Sequence, residues 1–322
     1  MLPTLPAFTP AEQRAAHLLL AAKVAQMMAR TFEEGDWTEV YCAAKRIPCQ
    51  DWSNLKLDVM YGGLGVEHKK LGRDSRRPIT YWCGESLMHP AETRAIRVPP
   101  PTTDPDEAMR VVFRQYADNL EYKRSQVREQ SGGGAEADMR TGLLLYQPGT
   151  LREFLYFEKP TVAPGPEEHY AIWKENPARG ARRGSVNLWI FDRYTDRKRF
   201  SVTTEAGNKL QPYYDIPAPT DPNLYVFTVQ GEDIGDGQIR IWITVQTARE
   251  LRRVVGALDF AALSEAILNS RPGIVTGTLP GLAESVEPVV ISTEAYNALI
   301  EKFVGVSDEH RMRLFVEHFL QS

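Results

Sequence analysis

Asp58, Glu67 and Lys69 are the residues of this chain whose types and spacing could do chemistry together. They lie on either side of Gly62-Gly63 in residues 55–71, Leu-Lys-Leu-Asp-Val-Met-Tyr-Gly-Gly-Leu-Gly-Val-Glu-His-Lys-Lys-Leu. Two apolar, β-prone runs around a Gly-Gly pair signal a two-residue hairpin, because the favoured turns need positive φ. Counting outward from that turn sets Tyr61 against Leu64, Met60 against Gly65, Val59 against Val66 and Asp58 against Glu67. Directly opposed residues share a face, with Cβ atoms about 4.5–5.5 Å apart, and so do residues two apart on one strand. Asp58, Glu67 and Lys69 are therefore expected on one side of the ribbon.

Two carboxylates side by side repel each other and destabilise a hairpin. A hard divalent cation such as Mg²⁺ offsets the repulsion with oxygen ligands and keeps several waters. A lysine beside it can help generate or orient an attacking hydroxide, and the cation can stabilise charge on a phosphoryl oxygen. The constellation suits metal-assisted hydrolysis of a phosphodiester.

Asp58, a hairpin, then Glu67-His68-Lys69 resembles the PD-(D/E)XK nuclease signature common in type II restriction endonucleases, over about residues 36–147. The resemblance implies an αβββαβ core and a homodimer that cuts both strands of double-stranded DNA at a short, symmetric site. It implies Asp58 and Glu67 as Mg²⁺ ligands, with Lys69 assisting the attacking water. In that family a helix ahead of the catalytic strands sometimes supplies another acid, and Glu39 is the residue weighed here for that role, against a helix cap. A second Glu-x-Lys, Glu121-Tyr122-Lys123, falls in a helical stretch with no Asp across a hairpin and is set aside.

Cations cluster in two places. Lys70, Arg73, Arg76 and Arg77 follow the ribbon, opposed by Asp74. Residues 178–209 form the most basic part of the chain and carry Arg179, Arg182, Arg183, Arg193, Arg197, Lys198 and Arg199. Phosphate contacts supply much of DNA binding, and a β-ribbon tipped with Arg can read guanine in the major groove. Both clusters are expected to face DNA.

The elements that must position these residues can be read in order. Thr9-Pro10 opens a helix whose apolar positions, from Ala15 through Leu18, Leu19 and Leu20 to Met28, predict burial. Residues 36–44 form a second helix, with Asp36 and Glu39 at capping-box spacing. Residues 106–130 repeat apolar positions at three and four, from Met109 to Leu120, as a long amphipathic helix. Residues 142–147 read as a buried strand and residues 151–157 as a helix. Residues 186–191 and 199–204 are two strands, and residues 224–230 and 238–246 are paired around Gly235-Asp236-Gly237. Helices follow over 247–256, capped by Thr247, over 259–270, capped by Asp259, and over 293–304 and 308–320. The expected class is α/β: a mixed central β-sheet flanked by helices, with further β-hairpins and helices in the C-terminal half. Residues 1–150 form the catalytic core, and residues 151–322 supply recognition and dimerisation elements packed on it.

Composition bounds the rest. The chain has 322 residues, 43% hydrophobic and 25% charged, ordinary for a globular protein. A net charge of −4 excludes a histone-like binder but leaves room for a local basic cleft. Three cysteines, Cys42, Cys49 and Cys83, argue for buried thiols in a reducing cytosol. No apolar run is long enough for a membrane span, and no signal peptide is legible. The absence of a P-loop argues against a nucleotide cofactor, and the absence of a Gly-x-Ser-x-Gly elbow against a serine hydrolase. The alternatives are a repair or anti-phage nuclease of the same fold, and a DNA-binding module whose carboxylates are structural.

Overall fold

Thr9 starts the first helix. Its hydroxyl accepts the Glu12 N–H, while the Glu12 carboxylate accepts the Thr9 N–H at 2.7 Å, and Pro10 takes the first helical position. The computed structural model describes residues 2–27, 30–49, 57–89, 96–133, 136–177, 184–204, 208–270 and 285–321. Helices α1 (Pro10–Ala25) and α2 (Glu34–Lys45) lead to the ribbon, β1 (Val59–Tyr61) and β2 (Leu64–Gly72). After the short β3 (Ser86–Met88) come the long helix α3 (Pro105–Gln130), β4 (Asp138–Tyr146) and β5 (Glu153–Pro160). A meander follows: β6 (His169–Asn176), β7 (Ser185–Asp192), β8 (Lys198–Thr203) and β9 (Lys209–Asp215). The chain ends with β10 (Tyr225–Thr228), β11 (Glu232–Gly235), β12 (Gln238–Thr244), α4 (Val245–Val255), α5 (Phe260–Asn269), β13 (Val286–Ser292), α6 (Thr293–Lys302) and α7 (Asp308–Gln321).

The central sheet has the order β1-β2-β4-β5-β10, with β2 and β4 parallel and the other pairs antiparallel. A parallel pair needs a crossover, and α3 provides it. Both faces of the sheet are covered, so β4 and β5 read as nearly unbroken apolar runs. On one face α1 and α2 bring Leu20, Trp37 and Tyr41 against Val66, Leu144, Phe154 and Tyr156. On the other, Leu143, Leu145, Leu155 and Phe157 meet Ile79 and Ile216, and Val127 near the end of α3 meets Met60 and Met139. The fold is a mixed α/β one, and its central sheet draws strands from both sides of residue 150.

A second sheet, β3-β9-β8-β7-β6, packs its inner face on the first half of α3, where Met109, Val112 and Phe113 meet Leu188, Ile190 and Val202. A 26-residue helix is about 39 Å long, enough to serve both sheets. A third sheet, β11-β12-β13, buries its apolar side under α4 to α7. No helix among the described residues is long and apolar enough to cross a membrane.

Several elements differ from the sequence reading. Residues 151–157, expected as a helix, begin strand β5, which lies between β4 and β10 with Phe154, Leu155, Tyr156 and Phe157 all buried. An apolar run covered on both faces has no alternation to betray it as a strand. Residues 224–230 and 238–246 do not pair with each other. Strand β10 joins β5, and β12 lies between β11 and β13, so residues 232–235, with the acids Glu232 and Asp233, are a strand rather than part of the connection. Thr244, not Thr247, caps α4: its hydroxyl accepts the Thr247 N–H. Leu18 and Leu19 are exposed on α1, and Cys49 is exposed while Cys42 is buried.

Gly142 in β4 lies between His68 of β2 and Glu158 of β5. A Cβ there would collide with the Tyr156 hydroxyl and come within 2.7 Å of the His68 ring. Neither neighbour can yield: Tyr156 donates to Glu158 Oε1 at 2.9 Å and packs on Trp37. Gly142→Ala is expected to cost about 1–3 kcal/mol by overpacking, measured by urea unfolding. Gly35→Ala in α2, where a Cβ meets nothing within 4 Å, is the control and should leave stability unchanged or raise it.

Candidate active site

The ribbon has the register that counting from the turn requires: Val59 opposite Val66, Met60 opposite Gly65 and Tyr61 opposite Leu64. Gly62 and Gly63 hold φ of 56° and 86°. Strand β1 is short and β2 continues past it, so among the described residues the amides of β2 that would face β1 have no strand partners after Val66. Carboxylates take their place. The His68 N–H donates to Asp58 Oδ2 at 2.6 Å, and the Lys70 N–H donates to Glu34 Oε2 at 3.1 Å. These amides are two residues apart, about 6.8 Å along the strand, so two acids from different elements line one sheet edge. Glu67 completes the group, held by Lys69 Nζ at 2.7 Å on Oε1 and by Lys123 Nζ at 3.0 Å on Oε2.

Three carboxylates and two ammonium groups therefore share a largely buried site. Burial, then the charges of Glu67 and Glu34, push the Asp58 carboxyl up to about 7, against the His68 amide and Lys69. Glu34 is raised by burial, with Glu67 adding to the effect and Lys69 opposing it. Burial also works on Glu67, but Lys69 and Lys123 outweigh it and hold that carboxyl below its ordinary range. Glu67 is thus the fixed anion of the site and Asp58 the group poised to change charge.

His68, between Glu67 and Lys69, points to the opposite face. Its Nδ1 shares a hydrogen bond of 2.8 Å with Thr38 Oγ1, and its ring lies 5.0 Å from Tyr41. Burial pushes it down to about 3, so it is a neutral core residue that fixes α2 against the ribbon.

Two members of this site escaped the sequence reading. Glu39 is not the acid that α2 contributes: its side chain is 62% exposed and pairs with Lys23. Nor is it part of the cap, which joins Glu33 and Asp36, the Glu33 N–H donating to Asp36 Oδ2 at 2.8 Å. Glu34, in the first turn, reaches the sheet edge instead. Lys123, set aside as part of a chance Glu-x-Lys, enters from α3, while Glu121 faces outward to Arg124 and Arg128.

The cations expected at DNA are dispersed. Lys70 turns to the start of α2, donating to the Phe32 carbonyl and pairing with Glu33. Arg73 lies over the Trp82 ring and Arg77 over Tyr81, while Arg76 is 89% exposed and bound to Asp74. Arg193 donates to the His169 carbonyl, and Arg197 and Arg199 pair with Asp215. Lys198 sits over Trp189 and Tyr213, where burial pushes it down to about 8. Arg179, Arg182 and Arg183 lie outside the described residues.

No group of three or more His, Cys, Asp and Glu side chains among the described residues is gathered as a metal cage. Mg²⁺ does not require one, since it binds through one or two carboxylates and leaves other positions to water and phosphate. The all-oxygen donors at the edge of β2, with Asp58 raised by burial and then by the charges of Glu67 and Glu34, fit such a cation. No family model, curated protein or solved structure matches this chain.

Proposed function

We propose that the chain is a Mg²⁺-dependent endodeoxyribonuclease of restriction type, hydrolysing phosphodiester bonds of double-stranded DNA at a short specific sequence. The observation that carries this reading is the convergence of Asp58, Glu67 and Glu34 with Lys69 and Lys123 at one strand edge. The order α2, β1, β2, α3, β4 supports an αβββαβ core, although β3, between β2 and α3, belongs to the second sheet, and residues 50–56 lie outside the described ones. Asp58 and Glu67 would hold the cation, whose chemistry is to stabilise a phosphoryl oxygen and activate water. Glu34 adds negative charge beside them and anchors the edge through Lys70. Lys69 orients the attacking water, and Lys123 keeps Glu67 ionised and in place. A homodimer would set two such centres on the two strands, in the cytoplasm.

Supercoiled plasmid incubated with the protein and Mg²⁺ should give discrete fragments whose sequenced ends share one site. EDTA should stop the reaction, and Glu67→Gln should slow it at least about 100-fold. Plasmid left intact by a protein that shifts it in a gel would replace the nuclease with a non-catalytic DNA-binding module.

A further inference from the structure

The second sheet has one face on α3 and one turned away from it. Inner positions Ala171, Leu188, Ile190, Val202 and Leu210 pack on the helix. Register assigns the outer ones: Tyr170 lies opposite Phe191, Ile172 opposite Trp189, and Lys174 opposite Asn187. A β-bulge between Ile190 and Phe191 then sets Lys198, not Arg199, opposite Phe191. The outer face thereby gains a lysine in the middle of its rings. Lys198 Nζ lies 3.4 Å from the centre of the Trp189 ring and 5.1 Å from that of Tyr213, and Lys174 Nζ lies 5.7 Å from Trp189.

These rings form a surface rather than a core. Tyr170 and Phe191 stack at 5.3 Å with 14° between their planes, and Trp189 and Phe191 are 6.4 Å apart. Among the described residues they join none of the buried hydrophobic clusters. The outward strand positions also carry Lys209, opposite Thr203. Asp215, the acid on the same alternation of β9, is already held by Arg199 at 2.7 Å and Arg197 at 3.6 Å. Asp196, which accepts from the Tyr170 hydroxyl, is outnumbered by Lys174, Lys198 and Lys209, so the face is aromatic and net positive.

Flat rings set among lysines suit a ligand with exposed π-faces and a phosphate backbone. A duplex hides the faces of its bases, whereas a single strand offers them, and stacking on aromatic side chains with lysines along the backbone is how single strands are held. An isologous contact with a second copy would set this face against itself, lysines included. We propose that this outer face binds single-stranded nucleic acid, with phosphates drawing Lys174 and Lys198 off the Trp189 ring and a base stacking on the ring so uncovered. The inference deepens the nuclease reading by adding a partner surface distinct from the Asp58 centre, and it rests on that reading only for its biological setting.

The test is fluorescence anisotropy of a labelled dT 12-mer bound to the full chain in EDTA, where cleavage plays no part. Trp189→Ala should weaken binding about 10-fold, the loss expected of one stacking partner, and change duplex affinity less than about twofold. Trp189→Phe, which keeps a ring, should retain most of the affinity. Lys198→Gln should lower the slope of log affinity against log salt by about 0.7. Parent affinity for the 12-mer in both Trp189→Ala and Lys198→Gln would overturn the proposal. So would a dimer of the parent that Trp189→Ala converts to monomer, since the face would then be a subunit interface. Plasmid cleavage that persists when this test fails leaves the Asp58 centre standing.

Discussion

Alanine in place of Lys69 is expected to slow DNA cleavage by about 10²–10⁴-fold, the range for removing a positioned proton-handling group, while duplex affinity in Ca²⁺ or EDTA stays within about threefold. Lys69 Nζ sits 2.7 Å from Glu67 on a side chain only 8% exposed, so it is committed to the site and not to a distant phosphate. Its loss leaves Glu67 with Lys123 alone and sharpens the repulsion felt by Asp58 and Glu34. Part of any rate loss could then come from a loosened ribbon. Lys69→Met, which keeps the apolar stem, separates the two effects. If it melts like the parent and still fails to cut, the ammonium group is what matters. Cleavage by both variants within tenfold of the parent would move the role to Lys123, the other cation on Glu67.

The hairpin was legible because its information is local. A Gly-Gly turn with positive φ fixes register over a few residues, and the pairing down to Val59 and Val66 follows by counting. The caps on Thr9 and Asp259 and the three-and-four repeat of α3 were readable for the same reason. Strand β5 was not, because its burial on two faces is conferred by β4, β10 and the layers above and below. The same holds for β10, whose alternating sequence suits any partner; only the assembled sheet places it beside β5 instead of β12.

The candidate site divides along the same line. Asp58, Glu67 and Lys69 sit within one turn of chain and were found by spacing. Glu34 and Lys123 reach the site through tertiary packing, 33 residues before and 56 after Glu67 in the chain (67 − 34 and 123 − 67). One signal for Glu34 did exist. It is an acid in the first turn of the helix before the ribbon, where it can serve as an acceptor for edge amides, although the shortness of β1 that leaves those amides in need appears only in the fold. For Lys123 the signal was weaker: α3 carries it one turn before Val127, the residue that packs on the ribbon. The basic stretch around Arg193 to Arg199 was legible as charge but not as pairing. Its charge is prominent in sequence, yet Asp215, more than a dozen residues on, binds two of its arginines.

Asparagine in place of Asp58 should make the metal-free protein more stable at pH 8 and, in the same molecule, remove stabilisation by Mg²⁺. The folded-state carboxyl titrates at about 7, above the ordinary carboxylate value. Below pH ~4 both folded and unfolded chains keep the proton, and the group has no effect on stability. Between pH ~4 and 7 the unfolded chain has released its proton while the folded one holds it, so stability falls as pH rises. Above 7 the penalty is complete, and its ceiling is about 4 kcal/mol for a shift of roughly three units. The amide removes the charge and keeps an oxygen for the His68 N–H, so unfolding curves of Asp58→Asn should flatten between pH 5 and 8. A cation bound beside Asp58 must compete with that proton. Mg²⁺ at 100 times its pH 8 Kd should therefore stabilise the parent by about 2.7 kcal/mol at pH 8 and by less at pH 6, and should do little for the variant. An Asp58→Asn protein less stable than the parent at pH 8 would mean that the carboxylate is a structural acceptor and not a strained ligand. Equal stabilisation of both proteins by Mg²⁺ would place the cation elsewhere.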